Sequence, residues 1–158
     1  MIDSKDFPAL NFHRYFMQKA LVLAEKAERE GEVPVGAIVV QGDRIIGQGY
    51  NQTETLNDPT AHAEMIAISA ACATLESKQL TDCSLYVTLE PCPMCAGASV
   101  LSRLNRVVFG APDEKAGACG TLFNIADNRQ LNHRSEVIQG ILEADCRYLL
   151  QEFFSKKR

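Results

Sequence analysis

The sequence has no apolar run of the roughly 18 residues that a membrane-spanning helix needs, and it has no excess of positive charge. Its net charge is -4, from 16 basic and 20 acidic side chains, which argues against a protein that coats nucleic acid nonspecifically. Residues 1–6 are polar and mixed in charge, and they lack the basic-then-apolar plan of a secretory signal. We therefore expect a cytoplasmic protein without membrane association.

Internal repeats, linkers and low-complexity tracts are also absent, so we expect residues 1–158 to form a single domain. Charge is distributed unevenly along this domain. Residues 1–100 carry 7 basic and 13 acidic side chains, whereas residues 101–158 carry 9 and 7. The imbalance predicts a local anion-binding surface in the C-terminal third, although a solvated helix end explains the basic residues 156–158 equally well.

Six cysteines in a chain without a leader are expected to be free thiols, because the cytosol keeps them reduced. Four of them are expected to fill the core, namely Cys72, Cys83, Cys119 and Cys146. Cys92 and Cys95 differ, because they stand three residues apart in a P-C-P-M-C segment. The chain has no second C-x-x-C, and a structural zinc ribbon would need one.

Hydrophobic periodicity predicts alternating helices and strands. The predicted helices are 11–29, 61–75, 91–102 and 142–154, and the predicted strands are 33–40, 44–50, 84–89, 106–110 and 135–138. Gly42 and Asp43 predict a hairpin between the first two strands, which makes that pair antiparallel. The strand, helix, strand order of residues 84–110 predicts a parallel crossover, so the sheet is mixed.

Both halves of a candidate metal site fall where a predicted helix begins. His62 and Glu64 lie at the start of one helix, and Cys92 and Cys95 lie at the start of the next. Helix N-termini favour thiolates, and cysteines three apart on a first turn can bind one tetrahedral ion. Alone, His62 would be read as a structural histidine and Glu64 as a first-turn carboxylate. A redox pair of cysteines would need no accompanying His-x-Glu.

Three ligands and a free carboxylate are what a hydrolytic zinc site requires. A catalytic zinc takes three protein ligands and a water, whose pKa falls to roughly 7, and S/N ligation favours zinc over iron. With His62, Cys92 and Cys95 as ligands, Glu64 would stay free to move protons as general base and then acid. The pattern H-x-E followed by P-C-x-x-C is the known signature of the zinc nucleobase deaminases, which remove an exocyclic amine from a base.

Segments beyond the zinc motifs extend the comparison over nearly the whole chain: 32–37, 57–64, 85–92, 94–98, 106–111, 132–134 and 140–142. On these segments the sequence resembles the family of bacterial tRNA adenosine deaminases, which convert the wobble adenosine of an anticodon to inosine. The resemblance implies a cytidine deaminase-like α/β fold: a three-layer α/β/α sandwich around a five-stranded mixed sheet, with helices on both faces. It also implies one Zn²⁺ per subunit and a homodimer whose RNA surface uses both subunits.

The same resemblance implies roles for residues outside the metal site. Asn51 would hold the target nucleoside, and the backbone at Ala63 would help to position the base. A loop with Asp113 and Lys115, together with Asn132, would approach the anticodon loop. Other interpretations stay open: Asn is a common turn former after a strand, and charged residues in a surface loop are usually solvated.

One residue departs from the family pattern in that loop. Where the family often has a basic residue, this chain has Pro112. The replacement would remove one phosphate contact and stiffen the loop.

We predict from these patterns a zinc-dependent hydrolytic deaminase that acts on the wobble adenosine of a tRNA anticodon stem-loop. The alternative is a deaminase of a free base or nucleoside, of the guanine or cytosine type, which the acidic net charge favours. A third hypothesis is a zinc-stabilised RNA-binding subunit without activity, but the intact Glu64 argues against it. An RNA enzyme needs an open mouth at its site, whereas a nucleoside enzyme needs a lid.

Overall fold

A five-stranded mixed sheet forms the centre of the computed structural model, which describes residues 7–157. Residues 1–6, where we expected no secretory signal, lie outside the described residues, as does Arg158. The strands are β1 (Gly36–Gln41), β2 (Arg44–Tyr50), β3 (Cys83–Leu89), β4 (Arg106–Ala111) and β5 (Glu136–Gln139). The helices are α1 (Phe7–Arg29), α2 (Thr53–Leu56), α3 (Ala63–Leu75), α4 (Pro93–Leu101) and α5 (Glu143–Lys156).

The sheet has the strand order β2-β1-β3-β4-β5. The predicted hairpin of β1 and β2 is confirmed, and Gly42 in its turn has φ +64°, a left-handed conformation that glycine adopts without strain. The predicted crossover is also confirmed, because β3 and β4 are parallel and α4 connects them. Strand β1 is antiparallel to β3, and β5 is parallel to β4. The sheet is therefore mixed, as the sequence predicts.

Alternate residues of the strands face two separate layers of helices. Ile38 and Val40 join a buried cluster with residues of α1 and α5, whereas Ala37 and Val39 join a second cluster with residues of α3 and α4. This alternation follows from the two-residue period of a strand. The predicted three-layer α/β/α sandwich is thereby confirmed.

Helix α1 differs from its prediction in length and in its buried face. It begins at Phe7 instead of residue 11. Spacings of three and four within residues 11–29 predict a core-facing stripe of Phe12, Phe16, Ala20, Leu23 and Ala27. Phe12 is nevertheless 36% exposed, whereas Met17 and Ala24, which lie outside that stripe, are fully buried. The helix lies across both β1 and β3 and also touches α5. Its buried face is therefore wider than one stripe of residues spaced three and four apart.

Two further differences from the prediction exceed two residues. Residues 33–35 precede β1 instead of belonging to it, because the amide of Val35 donates to the carbonyl of Val33 at 2.8 Å and turns the chain. The four-residue helix α2 was not predicted, since it is shorter than any period that the sequence could reveal.

The cysteine prediction holds for the core. Cys83, Cys119 and Cys146 are buried, Cys72 is partly buried, and all six thiols are free. Within residues 7–157, no helix is both long enough and apolar enough to cross a membrane.

One edge of the sheet collects the segments that matter for the site. The carboxyl ends of the parallel strands β3 and β4 lie there, and the antiparallel β1 and β2 bring their start and end to the same edge. In open α/β sheets, ligands bind at the carboxyl edge of the strands.

Candidate active site

His62 and Cys92 are the N-cap residues of α3 and α4, and neither side chain caps its own helix. Both are instead directed to a common point, which Cys95 reaches from the first turn of α4. The Nδ1 atom of His62 lies 3.6 Å from Sγ of Cys92 and 3.5 Å from Sγ of Cys95. The three donor atoms all lie within 4.8 Å of one another.

The donor set fits a zinc ion. Tetrahedral Zn–S and Zn–N bonds of about 2.3 and 2.0 Å would put a sulfur and a nitrogen about 3.5 Å apart, which matches the observed separations. Hydrogen bonds from Cys95 and then His62 outweigh burial and lower the pKa of Cys92 to about 4. Cys95 has a raised pKa, first because of its hydrogen bond to Cys92. The lowered pKa of Cys92 favours the thiolate, which is the form of cysteine that binds metal.

Glu64 lies on the first turn of α3, two residues after His62, and is 4% exposed. It lines the same pocket as His62 and Cys92. Burial raises the pKa of the Glu64 carboxyl towards neutrality. A carboxyl group in this state suits a residue that must take up a proton in one step and release it in another.

The pocket over these residues has a volume of about 270 Å³. Asn51, which follows β2 and is 7% exposed, lines one side, and Ala63 lines the floor beside Glu64. As the first residue of α3, Ala63 has a backbone amide without a partner inside the helix. The pocket thus offers a side-chain amide, a backbone amide and an acid close to the metal ligands. Its size is near the lower end for ligand sites, about 300 Å³, and suits one base.

The remaining predicted residues lie at different distances from this pocket. Asp113 lines it. Lys115 lies in a neighbouring groove instead. Asn132 lines neither cavity, and its carbonyl accepts a hydrogen bond of 3.5 Å from Arg103, just beyond α4. The chain therefore brings Asn51, Ala63 and Asp113 to the metal ligands, but it does not bring Asn132 there.

The neighbouring groove has a volume of about 720 Å³ and runs between the 112–115 loop and the end of α5. It shares three lining residues with the pocket: Val33, Leu89 and Asp113. Lys115 and Arg147 supply positive charge to it, Glu114 supplies negative charge, and the half-exposed Phe154 supplies an aromatic face. Among the described residues, α5 contributes to the groove but not to the pocket, so the C-terminal helix does not cover the site.

Sequence reasoning missed two buried carboxylates beside the pocket. Glu32 is fully buried and accepts hydrogen bonds from the backbone amides of Glu54 and Thr55, at 3.1 and 2.7 Å, and from the Thr55 hydroxyl. Burial alone would raise its pKa, but these hydrogen bonds outweigh burial and lower it. Glu90, 2% exposed, lines the pocket next to Cys92. The signal available in the sequence was a charged residue directly flanking an apolar strand in each case.

Comparison with known proteins agrees with this geometry. A model of the cytidine and deoxycytidylate deaminase zinc-binding region matches residues 10–111. The tRNA-specific adenosine deaminase of Bacillus subtilis (strain 168) is 49% identical over 143 residues, which cover 90% of this chain and 89% of that relative.

Two solved structures are also similar. One comes from a study of A-to-I editing by tRNA:A34 deaminases at the wobble position of transfer RNA. Its TM-score is 0.82 and its sequence identity is 40%. The alignment covers 86% of this chain and 99% of the chain in that structure. The other is the guanine deaminase of Bacillus subtilis, with a TM-score of 0.62 and a sequence identity of 42%. That alignment covers 69% of this chain and 70% of the guanine deaminase chain.

Proposed function

Because the chain belongs to the zinc-binding cytidine and deoxycytidylate deaminase family, we propose that it hydrolytically deaminates adenosine to inosine at the wobble position of a tRNA anticodon. The observation that carries the choice of substrate is the open pocket. Its mouth continues into the groove with Lys115, Arg147 and Phe154, and α5 leaves the pocket uncovered. A splayed base can enter such a pocket while flanking nucleotides occupy the groove.

Each residue at the site has a definite part in this reaction. His62, Cys92 and Cys95 would hold one zinc ion per chain, which when bound activates the attacking water and so supplies the nucleophile. Glu64 takes one proton from that water and gives it to a ring nitrogen of adenine, while the water oxygen bonds to the ring carbon that carries the amine. It then takes the remaining proton from the new hydroxyl group and delivers it to the amine, so that the C–N bond breaks, ammonia leaves and a carbonyl forms. Burial of Glu64 keeps bulk water away and makes both protonation states accessible. Coordination to the metal would remove that freedom.

Asn51 and Ala63 orient the base in this proposal. The side-chain amide of Asn51 can donate to and accept from the nucleoside, and its low exposure limits competing hydrogen bonds with water. The Ala63 amide can donate to the ring at the N-terminus of α3, where the helix dipole favours developing negative charge. Orientation of this kind brings the reacting carbon within reach of the water and of Glu64.

Besides Asn51 and Ala63, we propose that Asp113, Lys115 and Asn132 contact the RNA. Asp113 lines both cavities, which supports a contact at the junction between the target base and its neighbour. Lys115 in the groove supports a contact with phosphate. Pro112 supplies no charge there, so Lys115 and Arg147 carry the positive charge of the groove.

We further propose that the protein is a cytoplasmic homodimer. Exposed apolar side chains support this: Leu101 at the end of α4 is 83% exposed, and Leu122, Phe123 and Leu131 are 51%, 53% and 42% exposed. Arg103 links the end of α4 to the backbone at Asn132, which brings these regions together. Asn132 would then contact RNA across the dimer. Free thiols at all six cysteines support the reducing compartment.

The proposed substrate is tested by incubating zinc-loaded protein with an anticodon-arm RNA that carries a wobble adenosine. Parallel reactions contain free adenosine, guanine or cytosine, and an RNA with the adenosine moved into the stem serves as the control. Inosine formed in the loop RNA alone is expected. Turnover confined to guanine or another free base would overturn the proposal and support the free-base alternative.

A further inference from the structure

The loop that forms one wall of the pocket is wrapped around a single buried carboxylate. Glu90 Oε1 accepts a hydrogen bond from the amide of Asp113 at 3.0 Å and from the hydroxyl of Thr121. Glu90 Oε2 accepts from the amides of Cys119 and Thr121 at 3.0 and 3.1 Å. Four donors from both ends of the 113–121 loop therefore converge on one side chain at the end of β3.

This carboxylate forms no ion pair with a side chain of the described residues, although the Glu90 side chain is only 2% exposed. A buried carboxylate is tolerated when hydrogen bonds to its charged form replace water, and backbone amides that point at an anion do this well. The loop amides thus stabilise the charge, and the charge in turn fixes the loop amides.

The shape of the loop is adapted to the carboxylate. An ideal Cβ on Gly117 would lie 2.5 Å from Oε1 of Glu90 and 2.5 Å from the carbonyl of Asp113. Any side chain at position 117 would therefore displace the Glu90 carboxylate or the Asp113 carbonyl, whereas glycine leaves both in place. The amide of Gly117 donates to the Asp113 carbonyl, and the amide of Ala118 donates to Pro91, each at 2.9 Å. Side chain and backbone therefore hold the loop against the segment that leads into Cys92.

We propose that Glu90 is a positioning residue: its carboxylate fixes the 113–121 loop so that Asp113 and Ala116 face the target base while Lys115 faces the flanking RNA. The proposal rests on the function proposed above. Asp113 and Ala116 line the pocket, and Asp113 to Lys115 line the groove. The Asp113 carboxylate itself accepts hydrogen bonds from the amides of Lys115 and Ala116 at 2.9 and 3.2 Å. These hydrogen bonds connect residues 113–116 into one turn.

Glu64 and the three metal ligands lie outside this loop, on α3 and at the start of α4. A loosened loop is therefore expected to weaken RNA binding more than it slows the chemical step. Hydrogen bonds to a charged group are each worth roughly tenfold or more in an equilibrium. We expect Glu90→Gln to raise KM for the anticodon-arm RNA about tenfold and to change kcat less than about threefold, since the glutamine NH₂ group would face donors instead of accepting from them.

The direct test measures amide hydrogen exchange in the zinc-loaded protein, which does not depend on any substrate. Glu90→Gln is expected to reduce protection at Asp113, Cys119 and Thr121 by about 10- to 100-fold while the protein retains its zinc. Glu32→Gln is the matched control. It removes an equally buried carboxylate, but one that holds the amides of Glu54 and Thr55, so it should leave exchange in the 113–121 loop unchanged.

A milder pair of variants covers the case in which Glu90→Gln does not fold. Thr121→Val removes one of the four donors and should raise KM about two- to threefold. Thr74 lies on α3, away from the pocket, and its hydroxyl donates to the carbonyls of Ile46 on β2 and Ala70. Thr74→Val removes these hydrogen bonds and should leave KM unchanged.

Unchanged loop exchange in Glu90→Gln, with or without loss of zinc, would overturn the proposal. So would faster loop exchange with wild-type KM. If the wild-type protein does not deaminate the RNA, the proposed function fails on its own, and the exchange data still decide whether Glu90 holds the loop.

Discussion

His62 and Cys92 lie thirty residues apart in the chain, yet Nδ1 of one is 3.6 Å from Sγ of the other, because each is the N-cap of a different helix. Helices α3 and α4 begin at the same edge of the sheet. Their N-termini together supply a positive electrostatic environment for thiolates and for a developing anion. Glu64, the proposed general base, lies on the first turn of α3 beside this cluster of candidate zinc ligands.

Removal of the Glu64 carboxylate should separate metal binding from catalysis. Glu64→Ala is expected to retain zinc and to lose kcat by at least the roughly 10²- to 10⁴-fold that general acid–base catalysis contributes, because Glu64 acts in more than one step. Metal analysis and single-turnover kinetics on the RNA measure the two effects. Glu25→Ala, an exposed glutamate on α1, should behave as wild type. Near-normal turnover in Glu64→Ala would refute the assigned role.

We predict that Cys92 is needed for zinc binding, whereas a cysteine outside the cluster is not. Cys92→Ser should lose most of its zinc and its activity, since the thiolate of the cluster is removed. Cys72→Ser changes a partly buried thiol outside the cluster and should keep both. Dialysis against a chelator should abolish the activity of wild-type protein, and added zinc should restore it. Activity that survives complete zinc removal would exclude the metal site as the catalytic centre.

The sequence predicts those parts of the site whose residues lie close together in the chain. His62 with Glu64, and Cys92 with Cys95, sit at short spacings on first turns of helices, so their spacing alone indicates which side chains share a face. The strands and the parallel crossover were predictable for the same reason, because the alternation of apolar residues is a local pattern.

The parts that sequence did not reveal depend on contacts between distant segments. Glu90 accepts hydrogen bonds from residues up to 31 positions away, and Glu32 from residues 22 and 23 positions away. No local pattern specifies such partners. The buried face of α1 was misjudged at Phe12 for a related reason, since the strands and the helix that α1 contacts come from elsewhere in the chain.

Close contact between β2 and α3 predicts that a methyl group at Gly49 will affect both stability and turnover. An ideal Cβ there would lie 2.5 Å from the Ala63 carbonyl and 2.8 Å from Cβ of Ile66. Overpacking of this kind costs about 1–3 kcal/mol of unfolding free energy, and the displaced turn carries Glu64. Urea unfolding and kcat of Gly49→Ala should therefore both fall.

Gly97→Ala is the matched control for this effect. Gly97 lies within α4, and nothing lies within 4 Å of an ideal Cβ there. Alanine is the better helix former, so this variant should gain roughly 0.5–1 kcal/mol in unfolding free energy. A Gly49→Ala protein as stable and active as wild type would show that α3 can shift freely against the sheet.

The buried tyrosine of β3 gives a prediction for alkaline pH. Burial raises the pKa of Tyr86 to about 12. Its hydroxyl shares a hydrogen bond of 2.7 Å with Nδ1 of His13, whose pKa is lowered first by burial and then by Arg106. The unfolded chain releases the tyrosine proton near pH 10, whereas the folded chain keeps it until about pH 12. Ionisation therefore favours unfolding between these values, so the free energy of unfolding should fall as pH rises from about 10 to 12.

Tyr86→Phe tests this linkage, because it keeps the buried ring and removes the proton. Its unfolding free energy at neutral pH should be lower, since His13 loses its partner. Between pH 10 and 12 its stability should decline less steeply than that of wild type. Chemical denaturation at a series of pH values measures both slopes, and Tyr15→Phe, which changes an exposed tyrosine on α1, should reproduce the wild-type slope. Equal slopes for Tyr86→Phe and wild type would mean that the Tyr86 hydroxyl does not govern the alkaline limit of the fold.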